Sequence, residues 1–293
     1  MHVRTTRNAR DTVTVSNPDK VLWPETGFTK GAMVDYYVAV APALLPHLES
    51  RALTMHRFPD GVDEWNWYQY ECRGAPEWVR TADIPYQDGT RRTFCVVDSV
   101  QALVWVANLA AVELHTYANR VDDPAHPSWV VFDLDPGAPA DIVDCARVAV
   151  ALRGRLERDG LRSLAKTSGS VGLHVYVPLD GTATFDEAKT YARDVARTLA
   201  AEQPDAVVDR NAKKLRVGRV FVDWLQNDPS RSMVAPYSLR GTVFPTVSMP
   251  VTWNEVERAE PLTFTARDTP PRIEQHGDLF ADVLRLRQRL PRA

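Results

Sequence analysis

A nine-residue run, Trp129-Val130-Val131-Phe132-Asp133-Leu134-Asp135-Pro136-Gly137, constrains the fold more than any other stretch of the chain. It reads as a buried strand stopped by Pro-Gly. Side chains on a strand alternate between faces, so Phe132 and Leu134 point into a core while Asp133 and Asp135 share the other face, roughly 7 Å apart. Two unpaired carboxylates so placed repel each other. Divalent ions that favour hard oxygen ligands, magnesium or manganese, are a common way to stabilise such a pair. Taken alone, D-x-D-P-G is more often turn chemistry than a metal site.

With 293 residues, 44% of them hydrophobic, the chain can bury one large core or two small ones. Its 38 acidic and 35 basic residues leave a formal charge of −3, so no global excess announces a nucleic-acid partner, and any such partner must be held by a local patch. Between Val207 and Arg240 stand seven basic residues (Arg210, Lys213, Lys214, Arg216, Arg219, Arg231, Arg240) against Asp209, Asp223 and Asp228. The plainest reading of that excess is a solvated basic face. Cys72, Cys95 and Cys145 are odd in number and lack metal-ligand spacing, which predicts reduced thiols in a cytoplasmic protein rather than a disulfide scaffold or a structural zinc. The polar start, Met1-His2-Val3-Arg4-Thr5-Thr6-Arg7, and the lack of an 18-residue apolar run disfavour secretion and membrane insertion.

Along the chain, the first sixteen residues read as frayed, or strand-like at their end where Val13 and Val15 alternate with threonines. Thr29 caps a predicted helix through Met33, Tyr36, Tyr37 and Val40, limited by Pro42 and Pro46. Asp98 with Gln101 forms a capping-box pattern opening an apolar helix through Leu103, Val104, Trp105, Ala107 and Val112. After the D-x-D strand, Cys145, Val148, Ala149, Leu152 and Leu156 repeat at helical period up to Gly160, and Leu173–Val177 reads as a strand. Thr184 and Glu187 box a helix over Ala188–Ala201, and Arg219–Leu225 reads as another buried strand. Beyond Met249 the chain is Pro-rich and irregular until an amphipathic stretch, Leu279–Leu290, read as a tail packed on the body.

Two further chemical signals accompany the aspartates. In Lys166-Thr167-Ser168-Gly169-Ser170-Val171-Gly172-Leu173-His174, the glycines let backbone N–H groups approach an anion and His174 leads out onto the strand. By itself such a Ser/Gly turn is more often a plain loop, and it lacks the spacing of a Walker loop. Asp223, alone in Val220-Phe221-Val222-Asp223-Trp224-Leu225, is costly to bury unless paired or metal-bound, so it is a third candidate carboxylate.

Two aspartates on one strand, a Ser-Gly-His loop and a lone aspartate on a later strand resemble the ordered motifs of the archaeo-eukaryotic primase superfamily. The match is closer than that: Phe132–Pro136, Thr167–Val175, Val222–Asn227 and Ala235-Pro236-Tyr237-Ser238 resemble the polymerase domain of bacterial DNA ligase D and its stand-alone relatives, over a span from Asn17 to about Trp253. The resemblance implies an α+β fold with a primase-like (RRM-like) catalytic core, its central, mainly antiparallel β-sheet flanked by helices. It implies one primase-polymerase domain over 1–293, with a DNA- and 5′-phosphate-binding part at about 1–97, a catalytic core at about 98–250 and a tail at about 251–293.

By the same resemblance, Asp133, Asp135 and Asp223 hold two ions, Mn2+ or Mg2+, and His115, Ser168, His174, Arg216 and Gln226 surround the nucleotide. Asn17, Lys20 and Lys30 fall where the family binds a DNA 5′-phosphate. Trp67 and Tyr68 occupy the place of an aromatic pair that stacks on the template, with core packing as the alternative, above all for Trp65. Tyr70 and Val171 stand where many relatives carry lysine, which removes two positive charges near the substrate. The implied activity is template-dependent addition of ribo- or deoxyribonucleotides to a primer 3′-hydroxyl at gaps or double-strand breaks in non-homologous end joining. The partners implied are DNA with a gap, break or 3′ overhang and a 5′-phosphate, NTP or dNTP, a Ku-type protein and a DNA ligase, in the cytoplasm at the nucleoid. A stand-alone primase-polymerase of gap or excision repair, and a non-catalytic DNA-end-bridging protein, remain as alternatives.

Overall fold

In the computed structural model, which describes residues 13–85 and 90–291, the chain divides into two units built from non-consecutive stretches. The first takes residues up to Tyr117, then Val234–Ser248 and Phe264–Gly277; the second takes Ala118–Met233, Met249–Thr263 and the residues from Asp278 onward. The chain twice returns to the first unit. Of the N-terminal sixteen residues, 1–12 lie outside the described ones.

In the first unit, Thr29 caps helix α1 (Lys30–Leu48) as expected, its hydroxyl accepting from the Ala32 N–H at 3.1 Å. The helix does not stop at its prolines but runs through Pro42 and Pro46. Each proline removes a helical hydrogen bond. Burial along the helix outweighs that cost: the Tyr36 hydroxyl donates to the Tyr237 carbonyl at 2.7 Å and the Tyr37 hydroxyl to that of Val112 at 2.6 Å. Helix α2 (Val100–Asn108) is capped by Ser99, not Asp98, and is shorter than its apolar run suggested. Val112 lies instead in a strand, Ala111–Tyr117, whose seven residues are all buried and in which Glu113 and His115 alternate with Val112 and Leu114.

The sheet of this unit has Leu53–Arg57 (β1) near its centre. It pairs antiparallel with Trp67–Gln69 (β2), with Arg91–Cys95 (β4) and with Ala111–Tyr117 (β5), while Thr81–Pro85 (β3) extends the sheet beyond β4. The expectation of reduced thiols fails here, since Cys72 and Cys95 form a disulfide. The Cys72 N–H donates to the Thr93 carbonyl at 2.8 Å, which lays Cys72 beside β4 with its Cα 4.9 Å from that of Cys95. Nothing in a 23-residue spacing announces that pairing. Cys145 is a free, buried thiol.

The second unit carries the D-x-D strand, β6 (Trp129–Pro136), with Leu164–Thr167 (β7), Leu173–Pro178 (β8), Val207–Val208 (β9), Val220–Asp223 (β10) and Pro250–Val251 (β11). Their order is β9-β10-β6-β8-β7-β11, antiparallel except for the β9–β10 pair. Helices α3 (Ile142–Arg158) and α4 (Phe185–Glu202) pack on β6, each opened by a capping box, Asp141 with Asp144 and Thr184 with Glu187. Beyond Met249 the chain is more regular than expected, with β11 and three short helices, Trp253–Glu257, Thr269–His276 and Asp282–Arg285. Phe280 and Val283 of the terminal stretch are buried with Trp129, Val131 and Tyr176.

Candidate active site

Strand register builds the polar face of the second unit. Asp133 is the direct partner of His174 on β8 and of Asp223 on β10, and His174 is in turn the partner of Lys166 on β7. Directly opposed residues of antiparallel strands project to the same face, so Lys166, His174, Asp133 and Asp223 form one row across four strands. Asp135 follows on the same face two residues along. Phe132 and Leu134, as expected, are fully buried on the other face.

Hydrogen bonds fix this row. The Lys166 ammonium, with no exposed surface, lies 2.9 Å from His174 Nδ1. An ammonium can only donate, so Nδ1 accepts and the ring proton sits on Nε2, 3.2 Å from Asp133 Oδ1. Asp223 accepts from the Leu225 N–H at 2.9 Å and from Gln226 Nε2 at 3.1 Å, which places Gln226 beside the acids.

The Ser-Gly turn is pinned on β6, because a Cβ at Gly172 would come within 2.1 Å of the Leu134 carbonyl oxygen. Its amides do not all face outward as expected: the Ser170 and Gly172 N–H groups donate to Ser168 Oγ at 3.1 and 3.0 Å. Ser168 therefore shapes the loop that precedes His174. Arg216 stacks its guanidinium on Phe221, 3.9 Å from the ring centroid, donates to Asn211 Oδ1, and sets one terminal nitrogen 3.9 Å from Asp135 Oδ2. Of the basic segment, Arg210, Lys213, Lys214 and Arg231 are exposed, in keeping with a solvated face, whereas Arg216, Arg219 and Arg240 are half-buried.

Burial, then the neighbouring Asp133, pushes the Asp135 carboxyl up to about 7, with Arg216 opposing. Burial and Asp133 likewise raise Asp223, against the hydrogen bonds from Leu225 and Gln226. Three carboxylates on one face with one arginine at 3.9 Å form an oxygen donor set that suits a hard divalent cation.

In the first unit, residues 17–20 clasp the start of α1: Lys30 N–H donates to the Lys20 carbonyl at 2.8 Å and Gly31 N–H to that of Pro18 at 2.7 Å. Asn17, Lys20 and Lys30 thus gather at one helix N-terminus, with Asn17 in the left-handed region (φ 48°). Lys20 is paired with Asp60 at 2.6 Å, and the buried Lys30 ammonium donates to the Ser16 carbonyl at 2.8 Å. Burial, then Lys20 and Arg57, depresses the Lys30 pKa, a local excess of positive charge.

On β2, Trp67 stacks with Trp65 at 4.5 Å and has the Arg57 guanidinium 4.8 Å from its ring centroid. Trp65 does not pack in the core. It is 70% exposed, and Tyr68 and Tyr70 are also exposed. Tyr68 stacks on His56 and meets His115 edge-on at 5.5 Å. His115 stands in β5. Its Nε2 bonds Glu113 Oε2 at 2.8 Å, and burial lowers its pKa against that carboxylate.

Glu113 and His56 were not singled out from the sequence, and Arg240 and Lys166 entered only as part of the basic segment and of the Ser-Gly stretch. Lys166 was legible in principle, since it precedes the Ser-Gly turn by two residues and pairs in register with His174. Glu113 was hidden in an uninterrupted buried strand.

Comparison with known proteins gives one consistent answer. A family model described as LigD, primase-polymerase domain matches residues 29–280. The chain is 39% identical over 277 residues to the multifunctional non-homologous end joining DNA repair protein LigD of Mycobacterium tuberculosis H37Rv, covering 92% of this chain and 36% of that protein. It is 28% identical over 269 residues to the bifunctional non-homologous end joining protein LigD of Bacillus subtilis, covering 91% and 43%. The chain therefore spans well under half the length of these relatives. Among solved structures, the polymerase domain from Mycobacterium tuberculosis ligase D in complex with DNA matches with a TM-score of 0.87 and 37% identity, over 92% of this chain and 97% of that one. These matches bear out the expected α+β architecture of antiparallel sheets flanked by helices, and the chain belongs to the LigD primase-polymerase domain family.

Proposed function

We propose that this chain is a template-dependent nucleotidyltransferase that adds ribo- or deoxyribonucleotides to a primer 3′-hydroxyl at gaps or break ends in non-homologous end joining. The observation that carries the reading is the in-register row of His174, Asp133 and Asp223, with Asp135 on the same face. Family membership and the relatives' descriptions support the repair context, and a Ku-type protein and a DNA ligase are the partners of this reading. Among the described residues no helix is long and apolar enough to cross a membrane.

Asp133, Asp135 and Asp223 would hold two divalent ions, manganese or magnesium. When bound, such ions favour ionisation of the primer hydroxyl and offset the charge that grows on attacking and leaving oxygens. The chain's own groups do the positioning. Gln226 and the Leu225 amide fix Asp223. Lys166 keeps the His174 proton on Nε2, the nitrogen that can donate to a phosphate oxygen. Arg216, braced by Phe221, offers charge to the triphosphate, the kind of preorganised electrostatic support on which phosphoryl transfer chiefly depends. Ser168 and His115 complete the nucleotide contacts, Trp67 and Tyr68 stack on template, and Asn17, Lys20 and Lys30 receive the DNA 5′-phosphate.

Primer extension on a short gapped duplex, with and without the downstream 5′-phosphate and with manganese and either nucleotide type, tests the proposal. Phosphate-stimulated addition is expected. Addition indifferent to the phosphate would remove the Asn17, Lys20 and Lys30 assignment and point to a general primase-polymerase. Tight DNA binding without addition would leave an end-bridging protein.

A further inference from the structure

Glu113 is the partner of His56 across the β1–β5 ladder, and His115 follows Glu113 by two residues, so all three share one face of the first unit's sheet. One donor atom from each, two imidazole nitrogens and a carboxylate oxygen, lies within 4.8 Å of the others.

The protons around this group can be placed. Asn66 donates its amide N–H to the Glu64 carbonyl at 3.1 Å, which turns its Oδ1 toward His56 Nε2 at 2.8 Å. Nε2 of a neutral His56 therefore carries the hydrogen, and Nδ1 carries the lone pair. That Nδ1 is buried without a hydrogen-bond partner and faces Glu113 Oε2 at 3.4 Å. A lone pair aimed at a carboxylate oxygen in a buried site is repulsive unless something positive lies between them. Glu113 is held for such a role, since its Oε1 accepts from Arg240 Nε at 3.1 Å and from the Gly241 N–H at 2.9 Å. Its Oε2 is left facing the two imidazoles, with His115 Nε2 at 2.8 Å. Metal-binding carboxylates are commonly oriented by hydrogen bonds of this kind.

We propose that His56 Nδ1, Glu113 Oε2 and His115 Nε2 form a zinc-type metal site in the first unit. Zinc bonds of about 2.0–2.1 Å in a tetrahedron put neighbouring donors roughly 3.3 Å apart. The 3.4 and 2.8 Å separations from Glu113 Oε2 fall on either side of that value, and all three donors lie within 4.8 Å of one another. Two imidazoles and one carboxylate suit zinc, whereas magnesium and manganese favour all-oxygen sets. The Tyr68 ring, stacked on His56 at 4.0 Å and edge-on to His115, covers the site while three protein donors leave a fourth position for water or a ligand. With the ion on Nε2, His115 presents Nδ1 as an N–H donor.

The inference does not rest on the polymerase reading, and its test reads metal content instead of nucleotide addition. The full chain carrying Asp133→Ala and Asp223→Ala, which removes the other cation set, is dialysed against zinc or cobalt(II), then assayed by elemental analysis and by visible d–d absorption. One equivalent of metal is expected, with a cobalt spectrum of low coordination number, and affinity at least tenfold weaker in His56→Leu and in Glu113→Gln. His56 is only partly buried, so His56→Leu keeps the test valid if Glu113→Gln fails to fold. Retention of no metal, or equal retention in His56→Leu, would overturn the proposal in favour of a protonated His56 paired with Glu113.

Discussion

Glu113 in the first unit and Asp135 in the second are buried or half-buried acids on sheet faces, yet their surroundings drive them in opposite directions. Burial pushes both carboxyls up. At Glu113 the hydrogen bond and charge of His115 and the charge of Arg240 outweigh it and hold the group well below the usual carboxylate range, whereas at Asp135 the neighbouring Asp133 adds to it and the group rises to about 7. A carboxylate surrounded by donors is held ionised and in a fixed orientation. Carboxylates crowded onto one face with little to neutralise them form a site whose missing positive charge must come from something bound.

Five substitutions sharpen or break that contrast. Asp133→Ala or Asp223→Ala is expected to lower nucleotide addition more than about 1000-fold, roughly 4 kcal/mol in barrier, while a gel-shift assay still shows DNA binding. Retained synthesis in either variant would remove the metal assignment. Glu113→Gln is expected to cost about 3 kcal/mol of stability by leaving Arg240 beside a buried neutral group, read as a lower denaturant midpoint. An unchanged midpoint would erase the distinction between the two acids. Lys166→Met is expected to slow addition about 10- to 100-fold by releasing the His174 tautomer. A structural role alone would lower stability and leave the pH profile of the rate where it was, so a shifted profile is the informative readout. Asp135→Asn is expected to raise stability at neutral pH by no more than roughly 1 kcal/mol, because solvent screens a half-exposed carboxylate.

The pH dependence of melting separates the same two groups. Asp135 keeps its proton up to about pH 7 when folded, whereas an unfolded aspartate releases it near pH 4, so the folded chain binds more protons across that window. Its stability contribution is present below about pH 4 and is lost as pH rises to 7, a slope that Asp135→Asn should flatten. Glu113 is the reverse case: its contribution is present above the unfolded value of about 4.3 and is lost as pH falls through its lower folded value. Melting curves without divalent ions from pH 3 to 8 test both signs, and manganese should restore stability more at pH 8 than at pH 5.

The two units also differed in how much of them could be read in advance. In the second, Phe132 and Leu134 alternate with Asp133 and Asp135, and capping boxes announce α4 at Thr184 and Glu187, so local pattern and final structure agree. In the first, the determining contacts are distant in sequence. Pro42 and Pro46 argued for a stop that tertiary burial overrides, Val112 looked helical because it extends the apolar run of α2, and Cys72 meets Cys95 only through the pairing of their backbones. His56 and Glu113 become neighbours by register across a ladder, which no local spacing encodes. The motif resemblance supplied Asn17, Lys20 and Lys30, whose individual roles no local chemistry had singled out.

Because Lys166, His174, Asp133 and Asp223 occupy matched positions on four adjacent strands, the spacing among them is set by the inter-strand distance and not by loops. A ruler of this kind has no adjustable marks. Loss or gain of a single residue within β6 would turn Phe132 or Leu134 toward the polar face and the aspartates into the core. Inheritance of this segment is therefore expected to tolerate exchange of side chains but not changes of length, and length variation among homologues should concentrate in connections such as 203–219 that lie off the row.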